Sequence, residues 1–419
     1  MRPLHCGVDF GTTNSTVGLC AAGGDPQLIP VEGAEVTIPS ALFFSLEGAG
    51  VRFGRAAVRD YMDGADGRFM RALKSILGSS LMKETTLVGR DRMTFQGLIG
   101  RFLRHLRERV EQEAGAVPEQ VVFGRPVHFV DGDETADRAA QDQLAAAAQA
   151  EGFRHVEFQF EPVAAALHFE RSLNAEALAL VVDIGGGTSD FSVLRLSPER
   201  ARGADRRGDI LSTSGVHVGG TDFDRRLSIA EVMPHFGLGT LTADGKRHLP
   251  VWYFNEMATW HRINQLYTPK VLRDIRSLAR EAAEPQRLER FEHLLIHRSG
   301  HRLAAQVETA KIELTDAEAT RLAFAEPGLT FSLPVTRGAF ERASAELVER
   351  VHATVEKALH DAGVSATAID TVILTGGGAQ VPLLRRAVAA MFAGARIAQS
   401  DQFGSVGLGL AVDAARRFA

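Results

Sequence analysis

Three aspartates of this 419-residue chain stand beside glycine-rich turns with hydroxyl neighbours. Asp9 lies in GVDFGTTNSTVGL (residues 7–19) and is followed by Gly11, Thr12, Thr13 and Asn14. Asp183 and Asp190 bracket Gly185, Gly186, Gly187 and Thr188 in VVDIGGGTSD (residues 181–190). A turn without Cβ atoms lets backbone N–H groups come close to a phosphate, and threonine hydroxyls add donors. Carboxylates would repel a bare phosphate, so they fit such a turn only with a cation. Mg²⁺ suits it, since it keeps several waters and takes a few carboxylate and phosphate oxygens. One such segment is as readily a plain tight turn. Two, each with an aspartate two residues before a glycine and about 170 residues apart, imply a duplicated architecture gripping one polyphosphate from both sides.

The elements that must hold these residues alternate between strand and helix, which implies α/β layers. Asp9 and Asp183 each end an apolar strand, and the segment after each turn reads as a returning strand. That order excludes the Rossmann turn, which runs into a helix, and the Walker A pattern is missing. A strand is expected at Val121–Val130, a helix at Glu134–Ala150 stopped by Gly152, and a strand at His155–Phe160. Pro162 opens a further helix, where its missing N–H costs nothing. Leu178–Val182 and Phe191–Leu196 form the second hairpin. Thr371–Leu374 leads through Gly376, Gly377 and Gly378 into a helix carrying Leu383, Leu384, Val388 and Met391.

Two segments fall outside this plan and read as insertions: 39–117, and the mainly helical 226–334, which holds Trp252 and Trp260. The aromatics Trp252, Tyr253, Phe254 and Trp260 suit either a partner surface or a packed core. The basic stretch 200–207, broken by Gly203 and flanked by Asp209, reads as a solvated loop.

Composition narrows the class. The chain is 45% hydrophobic and 24% charged with a formal net charge of -5, as in a globular protein that does not seek nucleic acid or an anionic membrane. No run approaches the 18 or so apolar residues of a membrane span, and a strand starts almost at the N-terminus. The expectation is a cytoplasmic, monomeric protein. Cys6 and Cys20 fit no metal spacing; they could pair across two strands, but two reduced thiols are expected.

VDFGTTNS, FEPVAAAL, VVDIGGGTSDFSVL, GGTDFD and VILTGGGAQVPLLRRAV resemble, in order and spacing, the ATPase domain of the Hsp70/actin-like superfamily across essentially the whole chain. Within it the sequence is most similar to the truncated YegD-type Hsp70-like proteins. The resemblance implies duplicated actin-like, ribonuclease-H-like domains around a central nucleotide cleft. Lobe I would span 1–175 with its insertion at about 39–117. Lobe II would span 176–419 with its insertion at about 226–334 and a C-terminal helix at about 405–417.

It also implies roles. Asp9, Asp183, Asp190 and Glu161 would face Mg²⁺, mainly through water. Gly11, Thr12, Thr13, Asn14, Gly185, Gly186, Gly187 and Thr188 would hold the phosphates of ATP or ADP. Glu161, otherwise a first-turn acid suited to the helix dipole, would place the attacking water. Lys74 would offset charge growing on the γ-phosphate. Gly219, Gly220, Glu308, Lys311, Ile312, Thr315, Gly376, Gly377, Gly378, Gln380 and Asp401 would line the rest of the nucleotide site. Common chaperones of the family carry arginines where Ile312 and Gln380 stand, so stacking on adenine is expected to be weaker here.

The chain stops about where a nucleotide domain ends, so a peptide-binding domain is not expected. A slow Mg²⁺-ATPase switch for an unidentified protein partner or client follows. A pseudo-ATPase or actin-like scaffold, and a sugar or acid kinase of the same fold, are the alternatives. The apolar Pro-Val-Ala-Ala-Ala after Glu161 disfavours a sugar acceptor.

Overall fold

A computed structural model describes residues 4–46, 50–88, 91–115, 119–202, 206–399 and 404–418. The chain packs as two compact units. One comprises Met1–Gly219, Arg350–Gln380 and Leu384–Ala419; the other comprises Gly220–Glu349 with Val381–Leu383.

The first unit holds two sheets of one plan. In the first sheet, Leu4–Phe10 pairs antiparallel with Asn14–Ala21 on one side and parallel with Gln120–Arg125 on the other, which in turn pairs parallel with His155–Phe160. In the second, Ala177–Ile184 pairs antiparallel with Ser189–Leu196 and parallel with Thr371–Thr375, followed by parallel Arg396–Gln399. Ile210–Val216 adds to the hairpin edge. Each sheet thus has a hairpin first and parallel strands added on the far side, so each Asp-Gly turn sits at the end of an interior strand.

Local chemistry sets the element ends. Asp133 caps the Glu134–Ala150 helix, its Oδ1 accepting from the N–H groups of Thr135 (3.0 Å) and Ala136 (2.9 Å). Gly152, at φ +102°, turns the chain beyond it. The strand expected to reach Val130 stops at Arg125, because Pro126 has no N–H to continue the ladder. Beneath the first sheet, Phe10 packs on Phe102 (5.8 Å between rings) and Phe123 on Phe153 (5.7 Å), each ring fully buried and contributing about 2 kcal/mol.

Two helices join the sheets. Glu161–Glu170 and Ser405–Phe418 share a core with Val122 of the first sheet and Ala179, Val181, Leu194 and Ile373 of the second. They cross with backbones nearly touching: a Cβ on Gly409 would lie 1.7 Å from the Ala164 carbonyl oxygen.

The second unit is not all helix. Helices Trp252–Met257, Pro269–Glu281, Pro285–Ile296 and Gly300–Asp316 are joined by a hairpin, Ala319–Glu326 with Leu329–Thr336. Alternating residues around Pro327-Gly328 carried that signal. Tyr253 and Phe254 are core residues, Phe254 meeting Phe291 edge-on at 5.2 Å, and Trp252 is the exposed member of the cluster.

Two further expectations are corrected or decided. The stretch at 200–207 is not simply solvated: Arg206 is 7% exposed, with Nη1 and Nη2 on the Glu170 carboxylate (2.5 and 2.7 Å) and Nε on Asp209 (2.5 Å). Glu170, buried at a helix end, requires that countercharge. The cysteines are both free. Cys6 lies opposite Leu19 and Cys20 opposite His5, so the thiols point to opposite sheet faces. Burial raises the Cys6 thiol to about 12. Among the described residues, no helix is long and apolar enough to cross a membrane.

Candidate functional site

The first turn is braced from outside. A Cβ on Gly11 would lie 2.1 Å from the Asn14 carbonyl oxygen, so only glycine allows so tight a reversal. Ser40 donates its N–H to the Thr13 carbonyl (2.8 Å) and its hydroxyl to the Gly11 carbonyl (2.7 Å). The second turn closes when the Gly185 N–H donates to the Thr188 carbonyl (2.9 Å). Asp183 and Asp190 are cross-strand partners, which puts both carboxylates on one face.

The turns meet. An added Cβ would stand 2.3 Å from Thr13 Cγ2 at Gly186, and 3.6 Å from Thr12 at Gly187. Gly219 approaches from another side, with its Cβ position 2.4 Å from the Gly187 amide nitrogen. Gly376, at φ +80°, leaves its Cβ position 2.3 Å from the Ile184 carbonyl oxygen and 2.9 Å from Asp183 Oδ1. Gly378 lies against the Ile184 side chain.

Charge converges on the same place. Lys74 sits in the short Leu73–Ile76 turn, entered through Ala72 in a left-handed conformation (φ 59°, ψ 35°). Its ammonium is buried and donates to Glu161 Oε1, at the start of the Glu161–Glu170 helix. Burial, then the Glu161 charge, raises Asp9 to about 7 against the pull of Lys74. Burial and Glu161 likewise raise Asp190 to about 7, although the Val127 N–H and the Thr188 hydroxyl bond to it. Asp183 is pushed well above the ordinary carboxylate range by burial and by Glu161, Asp190 and Asp9. Burial alone would lower Lys74, but its acidic neighbours, led by Glu161, raise it.

Four carboxylates therefore share one ammonium in a desolvated space, and a divalent cation would relieve the excess negative charge. The donors are all oxygens, the set a hard ion such as Mg²⁺ takes. Among the described residues no three acidic, histidine or cysteine side chains converge on one ion directly.

The remaining expected residues fall elsewhere. Glu308, Lys311, Ile312 and Thr315 lie on the Gly300–Asp316 helix of the second unit. Lys311 Nζ is paired with Asp224 (2.8 Å) and donates to the Gly220 carbonyl (3.2 Å), which brings two expected residues together. Ile312 is 56% exposed, and the Thr315 hydroxyl donates to the Ile312 carbonyl (2.7 Å). Gln380 ends the short Gly377–Gln380 turn of the first unit. Asp401 lies outside the described residues. Three residues near the cluster had gone unnoticed: Arg125, Val127 and His217. His217 pairs through Nδ1 with Asp131 (2.9 Å), and that carboxylate raises the imidazole above its ordinary value.

Two sheets of one plan, each with a hairpin turn on a shared cluster of buried acids, make the α/β fold of the actin-like ATPases. The sequence profile described as "Hsp70 protein" matches residues 5–236 and 285–416, and the chain belongs to that family. Among its relatives, the chaperone protein DnaK of Thermosipho melanesiensis is 27% identical over 412 residues, covering 98% of this chain and 58% of the relative. The chaperone protein HscA homolog of Azoarcus sp. is 30% identical over 430 residues, covering 98% and 58%. That of Ralstonia nicotianae is 28% identical over 433 residues, covering 99% and 58%. The chain thus spans just under three fifths of the length of these relatives.

Proposed function

We propose that the chain is an Mg²⁺-dependent ATP-binding protein that hydrolyses ATP slowly and changes conformation with the bound nucleotide for a protein partner or client. The lobes would be residues 1–175 and 176–419, and the setting the cytoplasm. The observation that carries this reading is the buried Lys74–Glu161 ion pair set among Asp9, Asp183 and Asp190 beside two interlocked turns.

In this mechanism the Gly185–Gly187 turn lets the phosphates approach without a Cβ in the way, and Thr12, Thr13 and Thr188 offer hydroxyls. Asp9, Asp183 and Asp190 would hold Mg²⁺, mainly through water. Mg²⁺ supplies the positive charge that lets carboxylates and phosphate oxygens share this space. Glu161 orients a water toward the γ-phosphorus and accepts its hydrogen bond. Lys74, freed from Glu161 when phosphate enters, offsets the charge that develops as the γ-phosphoryl group leaves ADP. The aliphatic Ile312, exposed on its helix, cannot stack on adenine as a guanidinium does, and this favours a second reading: a scaffold that binds nucleotide without turnover.

Single-turnover hydrolysis of ATP by the whole chain, with binding followed by calorimetry, separates the two. Glu161→Gln should lower the hydrolysis rate by about a hundredfold and leave ATP affinity within severalfold. A wild-type chain that binds ATP and never hydrolyses it would establish the scaffold. Equal turnover by wild type and Glu161→Gln would remove the role given to Glu161.

A further inference from the structure

Arg125 ends its strand with a side chain that is 12% exposed and whose guanidinium makes four donated contacts. Nε donates to the Pro126 carbonyl (3.0 Å) and Nη2 to the Val127 carbonyl (3.2 Å) and to Asp137 Oδ2 (2.6 Å). Nη1 donates to Gln141 Oε1 (2.5 Å). Its Cζ lies 5.1 Å from the ring centre of Phe129 and 5.3 Å from that of Phe160. The second oxygen of Asp137 accepts the Phe129 N–H (2.6 Å). One side chain therefore closes residues 125–129 on themselves and fastens them to the Glu134–Ala150 helix.

Two carboxylates of the buried cluster depend on that short segment. The Val127 N–H donates to Asp190 Oδ1 (2.7 Å). Phe160, against the guanidinium, immediately precedes Glu161. Gly124, immediately before Arg125, has its Cβ position 3.1 Å from Glu161 Cγ. The strand end thus lies against Glu161 at Gly124 and against the preceding residue, Phe160, at Arg125.

We propose that Arg125 is a positioning residue for ATP hydrolysis. It sets the Val127 amide under Asp190 and the Phe160–Glu161 step beside the strand end, so both carboxylates keep one geometry. This rests on the ATPase reading above. Lysine cannot replace it. A planar fork serves two carbonyls, a carboxylate and an amide while lying between two rings, whereas an ammonium is a point charge. Misplacing a reacting group by about 1 Å can cost on the order of a hundredfold in rate.

The test compares single-turnover hydrolysis, ATP affinity and Val127 amide exchange in wild type, Arg125→Lys, Asp137→Asn and Glu161→Gln, and in Arg125→Lys combined with Glu161→Gln. Arg125→Lys should lower the hydrolytic rate by about 10- to 100-fold with affinity kept within about threefold, and should speed Val127 exchange. Asp137→Asn, which releases one arm of the fork, should give a smaller change in the same direction. In the Glu161→Gln background, Arg125→Lys should add less than about threefold, because the group it positions has already lost its charge. An unchanged rate in Arg125→Lys, or an equally large loss in both backgrounds, would overturn the proposal. Slow Glu161→Gln beside normal Arg125→Lys would defeat only the positioning role; a wild-type chain that binds ATP and never hydrolyses it would defeat the hydrolytic reading beneath it.

Discussion

The two turns of the cluster solve opposite halves of one packing problem. The first, Gly11 to Asn14, carries threonine side chains and is tied down by Ser40. The second, Gly185 to Gly187, has no side chains, and none of its glycines lies in the left-handed region. Gly186 is therefore there for clearance rather than for an unusual backbone. Thr13 occupies the space a Cβ on Gly186 would need, and a Cβ on Gly219 would press on the Gly186–Gly187 backbone. One jaw supplies hydroxyls; the other makes room for them.

Substitutions can grade that difference. The largest loss is expected for Gly219→Ala, because the obstructing atom is the Gly187 backbone nitrogen at 2.4 Å, which has nowhere to go. Urea unfolding should show a loss of about 3 kcal/mol with an unchanged slope. Gly186→Ala meets a side chain instead and should cost about 1–2 kcal/mol. Thr13→Ser, which removes the methyl at 2.3 Å, should restore part of it. Gly187→Ala, with its nearest atoms at 3.6 Å, should stay within about 0.5 kcal/mol. Equal losses at all three positions would contradict the clearance account.

The cluster's charge leads to a smaller effect of opposite sign. Asp9 and Asp190 are each raised from an ordinary carboxylate value to about 7 in the folded chain. The fold then binds their protons more tightly than the unfolded chain does. The resulting stability is complete below the unfolded value near 4 and is lost as pH climbs through about 7. Without ligands, the melting temperature should fall between pH 5 and pH 8, and Mg²⁺-ATP should flatten that slope. Asp190→Asn should stabilise the ligand-free chain at pH 8 by about 1 kcal/mol, since an amide oxygen still accepts the Val127 N–H. Destabilisation there would show that the ionised carboxylate is already compensated.

Much of this site was legible because it is local. Strand, aspartate and glycines follow one another within about ten residues in both hairpins, and the Asp133-capped helix announced its own ends. What escaped detection depends on distant partners. Arg206 turns inward for Glu170, 36 residues earlier in the chain. Arg125 reads as a charge at a strand end until Asp137, Phe160 and Asp190 are placed around it. Lys74 carries no local mark at all, and only the family resemblance singled it out. The Ala319–Thr336 hairpin is a different case, since its alternation and Pro-Gly turn were visible within a segment otherwise read as helical.

The central claim is that the buried lysine and its carboxylates form a working hydrolytic site. Lys74→Ala tests it most directly, followed by single-turnover hydrolysis of bound ATP with Mg²⁺ present. Hydrolysis should fall by about a hundredfold or more, while calorimetry still records ATP binding within severalfold of wild type. Wild-type hydrolysis by the variant would contradict the claim.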